Sequence, residues 1–69
     1  MRAITLRELA QQYFPHSTAH SAVTQLRGWL LRNKPLMTRL SELSYKSRQR
    51  ILTPLQHEAY LYYLGEPGE

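Results

Sequence analysis

Helix-start signals recur along this chain and divide it into four short segments. Each signal is a side chain that accepts hydrogen bonds from the free N–H groups of a first helical turn, followed by helix-forming residues. The signals lie at Thr5–Glu8, at Ser17 or Thr18, at Asn33 and at Thr53–Gln56. The spacing of these helix-start signals favours short helices over long ones. We therefore expect an all-α protein, a small four-helix domain that spans residues 1–69.

The first helix is predicted between Thr5 and Tyr13. Thr5 and Glu8 fit a capping box, and Pro15 disfavours helical geometry at Phe14, so the helix should end near Tyr13. Its apolar residues recur at helical spacing on one face: Leu6, Leu9, Ala10 and Tyr13.

The second helix is predicted to run from the Ser17 or Thr18 cap to about Arg32. It has the clearest apolar face of the chain, within an arc of about 120°. That face consists of Ala19, Ala22, Val23, Leu26, Trp29 and Leu30. The opposite face is polar, and Gly28 points outward there.

Asn33 is the expected N-cap of a third helix, with Pro35 tolerated in its opening turn. Its predicted buried stripe is Leu36, Met37, Leu40 and Leu43. A polar, basic stretch follows, and residues 48–52 are expected to form an extended segment or short strand.

Thr53, Pro54 and Gln56 then start a fourth helix that ends near Leu64, with Gly65 at the C′ position.

The fourth helix carries apolar residues on two sides. One side holds Leu55, Ala59, Tyr62 and Tyr63, and the other holds Tyr60, Leu61 and Leu64. The second strip has two interpretations. It completes the core of the bundle, or it forms a homodimer or protein-partner interface.

Length and composition set further limits. A chain of 69 residues buries only about 60% of its unfolded surface, so modest stability is expected. The absence of cysteine removes disulfides and thiolate metal sites. The first residues lack a signal-peptide apolar core, and no apolar run approaches the roughly 18–20 residues of a membrane helix. A cytoplasmic protein that does not interact with membranes is expected.

The inventory of reactive side chains predicts no enzyme and no cofactor. The chain has no Cys, no Asp and only five scattered Glu, and none of its three glycines belongs to a phosphate-binding loop. His16 and His20 are four residues apart, but His16 lies in the predicted turn and no carboxylate is near in sequence. No metal site is therefore expected.

Positive charge is concentrated in the middle of the chain. Seven of the nine Lys and Arg residues lie between Thr24 and Leu52, where Glu42 is the single acid. Positive charge at this density attracts polyanions. The alternative interpretation is that these side chains form a solvent-exposed basic surface that binds no polyanion.

The first two helices suggest a helix-turn-helix-like N-terminal half, in which Ala10 allows close packing. The second helix would then enter the major groove of double-stranded DNA. Gln25 would pair with adenine and Arg27 with guanine. The predicted nucleic-acid-binding residues are His20, Ser21, Thr24, Gln25, Arg27, Arg32, Arg39, Lys46, Arg48 and Arg50. The connection between the helices is longer than a usual tight turn.

Two functional hypotheses therefore remain. The first is a DNA-binding accessory or regulatory protein. The second is a non-catalytic interaction module that pairs with itself or with another protein through Tyr60, Leu61 and Leu64. The direction of the basic side chains separates the two hypotheses, because convergence on the polar face of the second helix favours nucleic acid.

Four stretches of the sequence also carry a family resemblance: residues 9–18, 26–30, 52–56 and 63–67. They include the YFP turn, the L-x-x-W pattern and the terminal LGEP. With these motifs the chain resembles short bacterial proteins grouped as domain of unknown function family 4248. The resemblance implies a bacterial, stand-alone, cytoplasmic protein and transfers no functional residues.

Overall fold

The computed structural model describes residues 3–46 and 49–67. Four helices and two short strands follow one another along the chain. They are β1 (Ile4–Thr5), α1 (Leu6–Tyr13), α2 (Ala19–Arg32), α3 (Lys34–Glu42), β2 (Ile51–Leu52) and α4 (Pro54–Leu64). The predicted helical class is confirmed. Of the predicted extended segment, Ile51 and Leu52 form a strand, while Arg48 lies outside the described residues.

Each helix begins at the predicted capping signal. The Thr5 and Thr53 hydroxyls accept the backbone N–H of the residue three positions on, and Glu8 and Gln56 accept in return, so both capping boxes form. Asn33 caps α3 by accepting from the N–H of Leu36 at 3.1 Å. Between the two candidates for α2, Thr18 is the cap: its hydroxyl accepts from the N–H of Ser21 at 3.2 Å.

The two strands pair antiparallel, with Ile4 opposite Leu52 and Thr5 opposite Ile51. The N–H of Leu6 extends the pairing by donating to the carbonyl of Arg50 at 2.7 Å. β1 is not predicted from the sequence, because a two-residue strand has no periodicity of its own. This pairing brings the end of the basic segment to the first turn of α1.

The core lies where the four helices meet. α1 packs mainly against α2, and α3 packs against α4. Ala10 and Ala22 are both completely buried, and small side chains at such positions let two helices approach closely. The apolar core is made of Ile4, Leu6, Leu9, Ala10, Ala22, Leu26, Leu36, Leu40, Leu52, Ala59 and Tyr60.

Two residues assigned to buried stripes remain accessible. Trp29 is 38% exposed and packs its ring edge-on against Tyr13 and Phe14, with centroid distances of 5.7 and 4.7 Å. The indole therefore covers the end of α1 instead of filling the centre. Met37 is also exposed and lines a surface pocket.

The fourth helix turns its second apolar strip inward. Tyr60 is 1% exposed, and Leu61 and Leu64 are partly buried against the core. The packing of Tyr60, Leu61 and Leu64 against the core favours the interpretation that this strip completes the core of the bundle over the interpretation that it forms a partner interface. In the other strip, Tyr62 is 81% and Leu55 56% exposed, whereas Ala59 belongs to the core.

Within residues 3–46 and 49–67, no helix is long and apolar enough to cross a membrane.

Candidate nucleic-acid interface

A surface groove of about 850 Å³ runs between the start of α1, the polar face of α2 and the segment before β2. We call it the basic groove. Its lining residues are Thr5, Leu6, Arg7, His20, Val23, Thr24, Arg27, Gln49 and Arg50. Among the described residues, its lining includes three arginines from three separate parts of the chain and no acidic residue.

The fold explains why these arginines meet. The pairing of β1 with β2 places Arg50 beside the first turn of α1, which carries Arg7. The packing of α1 on α2 sets the polar face of α2, with His20 and Arg27, along the same groove. Cationic side chains gathered in one concave surface raise the local positive potential and attract polyanions.

Four of the predicted nucleic-acid-binding residues line the basic groove: His20, Thr24, Arg27 and Arg50. The hydroxyl of Thr24 donates to the carbonyl of His20 at 3.1 Å, inside the helix. The side chain of Arg27 forms no ion pair with any described residue, so its guanidinium is available to an anion.

Gln25 is held at the start of α2. Its Nε2 donates to the hydroxyl of Ser17 at 2.9 Å and lies 3.4 Å from both the carbonyl and the hydroxyl oxygen of Ser21. Bidentate pairing of Gln25 with adenine would require these bonds to break. The bond to Ser17 forms because the turn before α2 places this hydroxyl within reach of the Gln25 amide, a contact that the sequence does not predict.

The other predicted cations that the structure describes do not line the basic groove. Arg39 pairs with Glu42 at 3.5 Å and lies next to Leu55 and Tyr62 on the α3–α4 side, away from the basic groove. Arg32 and Lys46 are exposed and lie outside the lining. Arg48 lies outside the described residues.

Arg7 and Gln49 also line the groove, and the sequence predicts neither of them. Arg7 is followed directly by Glu8, so the local charge is balanced and gave no signal. Gln49 is uncharged and lies in an irregular segment. Only the long-range pairing of the two strands shows that both belong to the groove.

The connection between α1 and α2 covers residues 14–18, which confirms that it is longer than a tight turn. The N–H of Ser17 donates to the carbonyl of Phe14 at 3.1 Å. His16 lies in this turn, and among the residues that the structure describes no three His or Glu side chains cluster as a metal site requires.

The fold and the groove define the class: a small protein of four short helices with a positively charged surface groove beside its second helix. The chain belongs to the family described as Domain of unknown function (DUF4248), whose family model matches residues 1–67. The resemblance carried by the sequence motifs is thereby confirmed. No curated protein and no solved structure matches the chain.

Proposed function

We propose that this protein binds nucleic acid, with double-stranded DNA as the leading candidate, and acts as an accessory or regulatory protein in the bacterial cytoplasm. One observation carries the proposal: Arg7, Arg27 and Arg50 converge on the polar face of α2. In this arrangement the three guanidinium groups contact phosphates, while His20 and Thr24 lie nearest the bases.

Convergence matters because isolated surface cations contribute little specificity, whereas several in one groove fix the path of a phosphate backbone. Two of the three arginines come from segments outside α2, so the interface depends on the whole fold. The helix-turn-helix-like order of α1 and α2 adds a polar helix face beside the phosphate contacts. Arg39 does not contribute to this interface, since it lies on the α3–α4 side.

The test is a fluorescence-anisotropy titration of random-sequence duplex DNA at several salt concentrations. Each neutralised phosphate contributes a slope of about −0.9 to the plot of log affinity against log salt, so three arginines predict a slope of about −3. Single-stranded DNA and RNA of the same length, measured in parallel, identify the preferred nucleic acid.

Matched variants assign the interface. Arg50→Gln should weaken binding and reduce the slope by about one phosphate. Arg39→Gln removes the same charge outside the basic groove and is expected to have a much smaller effect. Equal effects of the two substitutions, or no binding even at low salt, would contradict the proposal.

A second candidate function is protein interaction, and the outward strip of α4 favours it. Leu55 and Tyr62 are largely exposed, and Tyr63 lies beside Tyr62 with a centroid distance of 5.0 Å. Exposed apolar side chains in one patch mark interaction surfaces more often than scattered ones do. In this candidate function the protein pairs with a second copy through Leu55, Tyr62 and Tyr63, and not through the strip that contains Tyr60.

Sedimentation equilibrium at increasing concentration tests this candidate. Self-pairing through α4 predicts a concentration-dependent dimer that Tyr62→Ser disrupts and that Ile51→Ser, an exposed apolar residue on β2, leaves intact. A monomer at every concentration would remove this candidate.

A further inference from the structure

We propose that a second site, an apolar pocket between α2 and α3, binds a small apolar carboxylate whose charged end is held by Arg27. The pocket has a volume of about 320 Å³. Its walls are formed chiefly by Leu30, Leu31, Met37, Leu40 and Tyr45, with Arg27 among the lining residues. Of the described residues that line it, none is acidic, and Arg27 is the one charged group.

The apolar part of the pocket explains two side chains that the core leaves accessible. Leu31 is 67% exposed, and Met37 is exposed although it follows the buried residue Leu36 in α3. Both line the pocket. An apolar ligand would remove both side chains from water, and this burial favours binding.

The polar part of the pocket offers donors to an anion. The guanidinium of Arg27 has no carboxylate partner among the described residues. The hydroxyl of Tyr60 donates to the hydroxyl of Tyr45 at 3.3 Å, which leaves the O–H of Tyr45 available as a donor.

Arg27 lies near this pair of tyrosines. Burial and the bond to Tyr45 raise the pKa of Tyr60 above its ordinary value, while the positive charge of Arg27 acts in the opposite direction. A cation and a hydroxyl donor among the lining residues of an apolar pocket suit a carboxylate, because a charged acceptor forms stronger hydrogen bonds than a neutral one. A neutral ligand of the same shape would use only the apolar walls.

The size of the pocket limits the ligand. Small-molecule sites commonly occupy about 300–1,000 Å³, and this pocket lies at the lower end of that range. A short acyl chain or a single aromatic ring with a carboxylate is therefore the expected class, and a nucleotide is too large and too polar.

Arg27 lines both the apolar pocket and the basic groove. A bound carboxylate would therefore neutralise one of the three arginines proposed to contact phosphates. This regulatory consequence rests on the proposed nucleic-acid binding, whereas the ligand site does not. With the ligand bound, nucleic-acid affinity should fall and its salt slope should decrease by about one phosphate.

The direct test is an amide NMR titration with octanoate, below its micelle-forming concentration, and with 1-octanol as the neutral counterpart. We expect saturable shifts at residues 27–31 and 37–45, with octanoate binding about tenfold or more tightly than octanol. Arg27→Gln should remove most of this preference and leave octanol binding unchanged.

Two control variants make the test specific. Arg32→Gln removes a charge from the same helix outside the pocket lining and should preserve the preference for octanoate. Leu31→Asn alters the apolar wall at an exposed position, where folding is not at risk, and should weaken both ligands. Equal affinity for octanoate and octanol, the same loss in Arg32→Gln as in Arg27→Gln, or the absence of saturable shifts would overturn the proposal.

The regulatory consequence has a separate readout. Octanoate should weaken binding of duplex DNA by the unmodified protein but not by Arg27→Gln. If octanoate binds as expected and leaves DNA affinity unchanged, the shared role of Arg27 is refuted. If the protein binds no nucleic acid at all, the proposed function fails while the carboxylate site is still supported by the NMR titration.

Discussion

The side-chain amides of Gln49 and Gln56 face each other and connect the segment before β2 to the first turn of α4. Nε2 of Gln49 donates to Oε1 of Gln56, and Nε2 of Gln56 lies 3.4 Å from Oε1 of Gln49. Gln56 is almost completely buried and also donates to the carbonyl of Leu43 at 3.1 Å. It accepts from the N–H of Thr53 at 3.0 Å. One buried side chain therefore fixes both ends of the loop that leads to Arg50.

Replacing Gln56 by Leu should destabilise the protein. The change removes the donor to the carbonyl of Leu43 and the acceptor of the N–H of Thr53, and one buried unsatisfied group alone costs about 1–3 kcal/mol. The amide of Gln49 keeps its bond to the carbonyl of Ile51. Urea unfolding measures the loss. Gln12→Leu, at an exposed position of α1, is the control and should stay within about 0.5 kcal/mol of the unmodified protein. Equal stabilities of the two variants would show that the network contributes nothing.

Two glycines should respond to alanine in opposite directions. Gly28 lies within α2, and an added Cβ would meet no atom within 4 Å, so Gly28→Ala should stabilise the protein by about 0.5–1 kcal/mol. Gly65 has φ 84° and ψ 171°, a region essentially restricted to glycine, so Gly65→Ala should cost about 1–3 kcal/mol. Thermal unfolding of both variants tests the pair. A lower unfolding temperature for Gly28→Ala than for the unmodified protein would contradict the finding that an added Cβ at this position meets no neighbouring atom.

The structure predicts a loss of stability at alkaline pH. The hydroxyl of Tyr13 donates to the carbonyl of Gly65 at 2.6 Å, and burial, followed by the negative charge of Glu66, raises the pKa of Tyr13 from 10.0 to about 12. A phenol with a raised pKa in the folded state contributes stability that is complete below the unfolded pKa. This stability is lost as the pH rises from about 10 through about 12.

Urea unfolding from pH 8 to pH 12 measures this dependence. Tyr13→Phe should lower stability at pH 8 and make the alkaline decline less steep. Tyr62→Phe removes a phenol that donates to no described residue and is the control. An identical alkaline decline in Tyr13→Phe and the unmodified protein would refute the role of Tyr13.

The cap of α2 provides a further prediction. Because the hydroxyl of Thr18 accepts from the N–H of Ser21, Thr18→Ala should cost about 1 kcal/mol, measured by chemical denaturation. Ser17→Ala removes the neighbouring hydroxyl, which accepts from Gln25 instead, and is expected to cost less. The reverse order would assign the cap to Ser17.

Local sequence signals predicted most of the helical framework. A capping side chain and the N–H groups that it satisfies lie within three residues of one another, so Thr5, Asn33 and Thr53 define helix starts without reference to the rest of the chain. The ends near Pro15 and Gly65 are equally local, since both depend on backbone geometry. These boundaries agree with the structure.

The candidate site was only partly predictable. His20, Thr24 and Arg27 share the polar face of α2, which helical periodicity predicts. Arg7 and Arg50 meet only because β1 pairs with β2, and two-residue strands have no periodic pattern that would reveal the pairing. Arg39, in contrast, belongs to the basic middle of the sequence, yet its side chain lies on the α3–α4 side of the molecule, away from the basic groove.

The sequence by itself determined near which residues the helices begin, where α1, α2 and α4 end, and which face of α2 is polar, because those properties arise from interactions between residues at most four positions apart. Only the tertiary structure decided that Tyr60 faces the core while Tyr62 faces solvent, since α4 is apolar on both sides and its orientation depends on what packs against it. The same holds for the convergence of Arg7, Arg27 and Arg50. Contacts between distant segments are selected by the packing of the whole chain, and no short stretch of sequence encodes them.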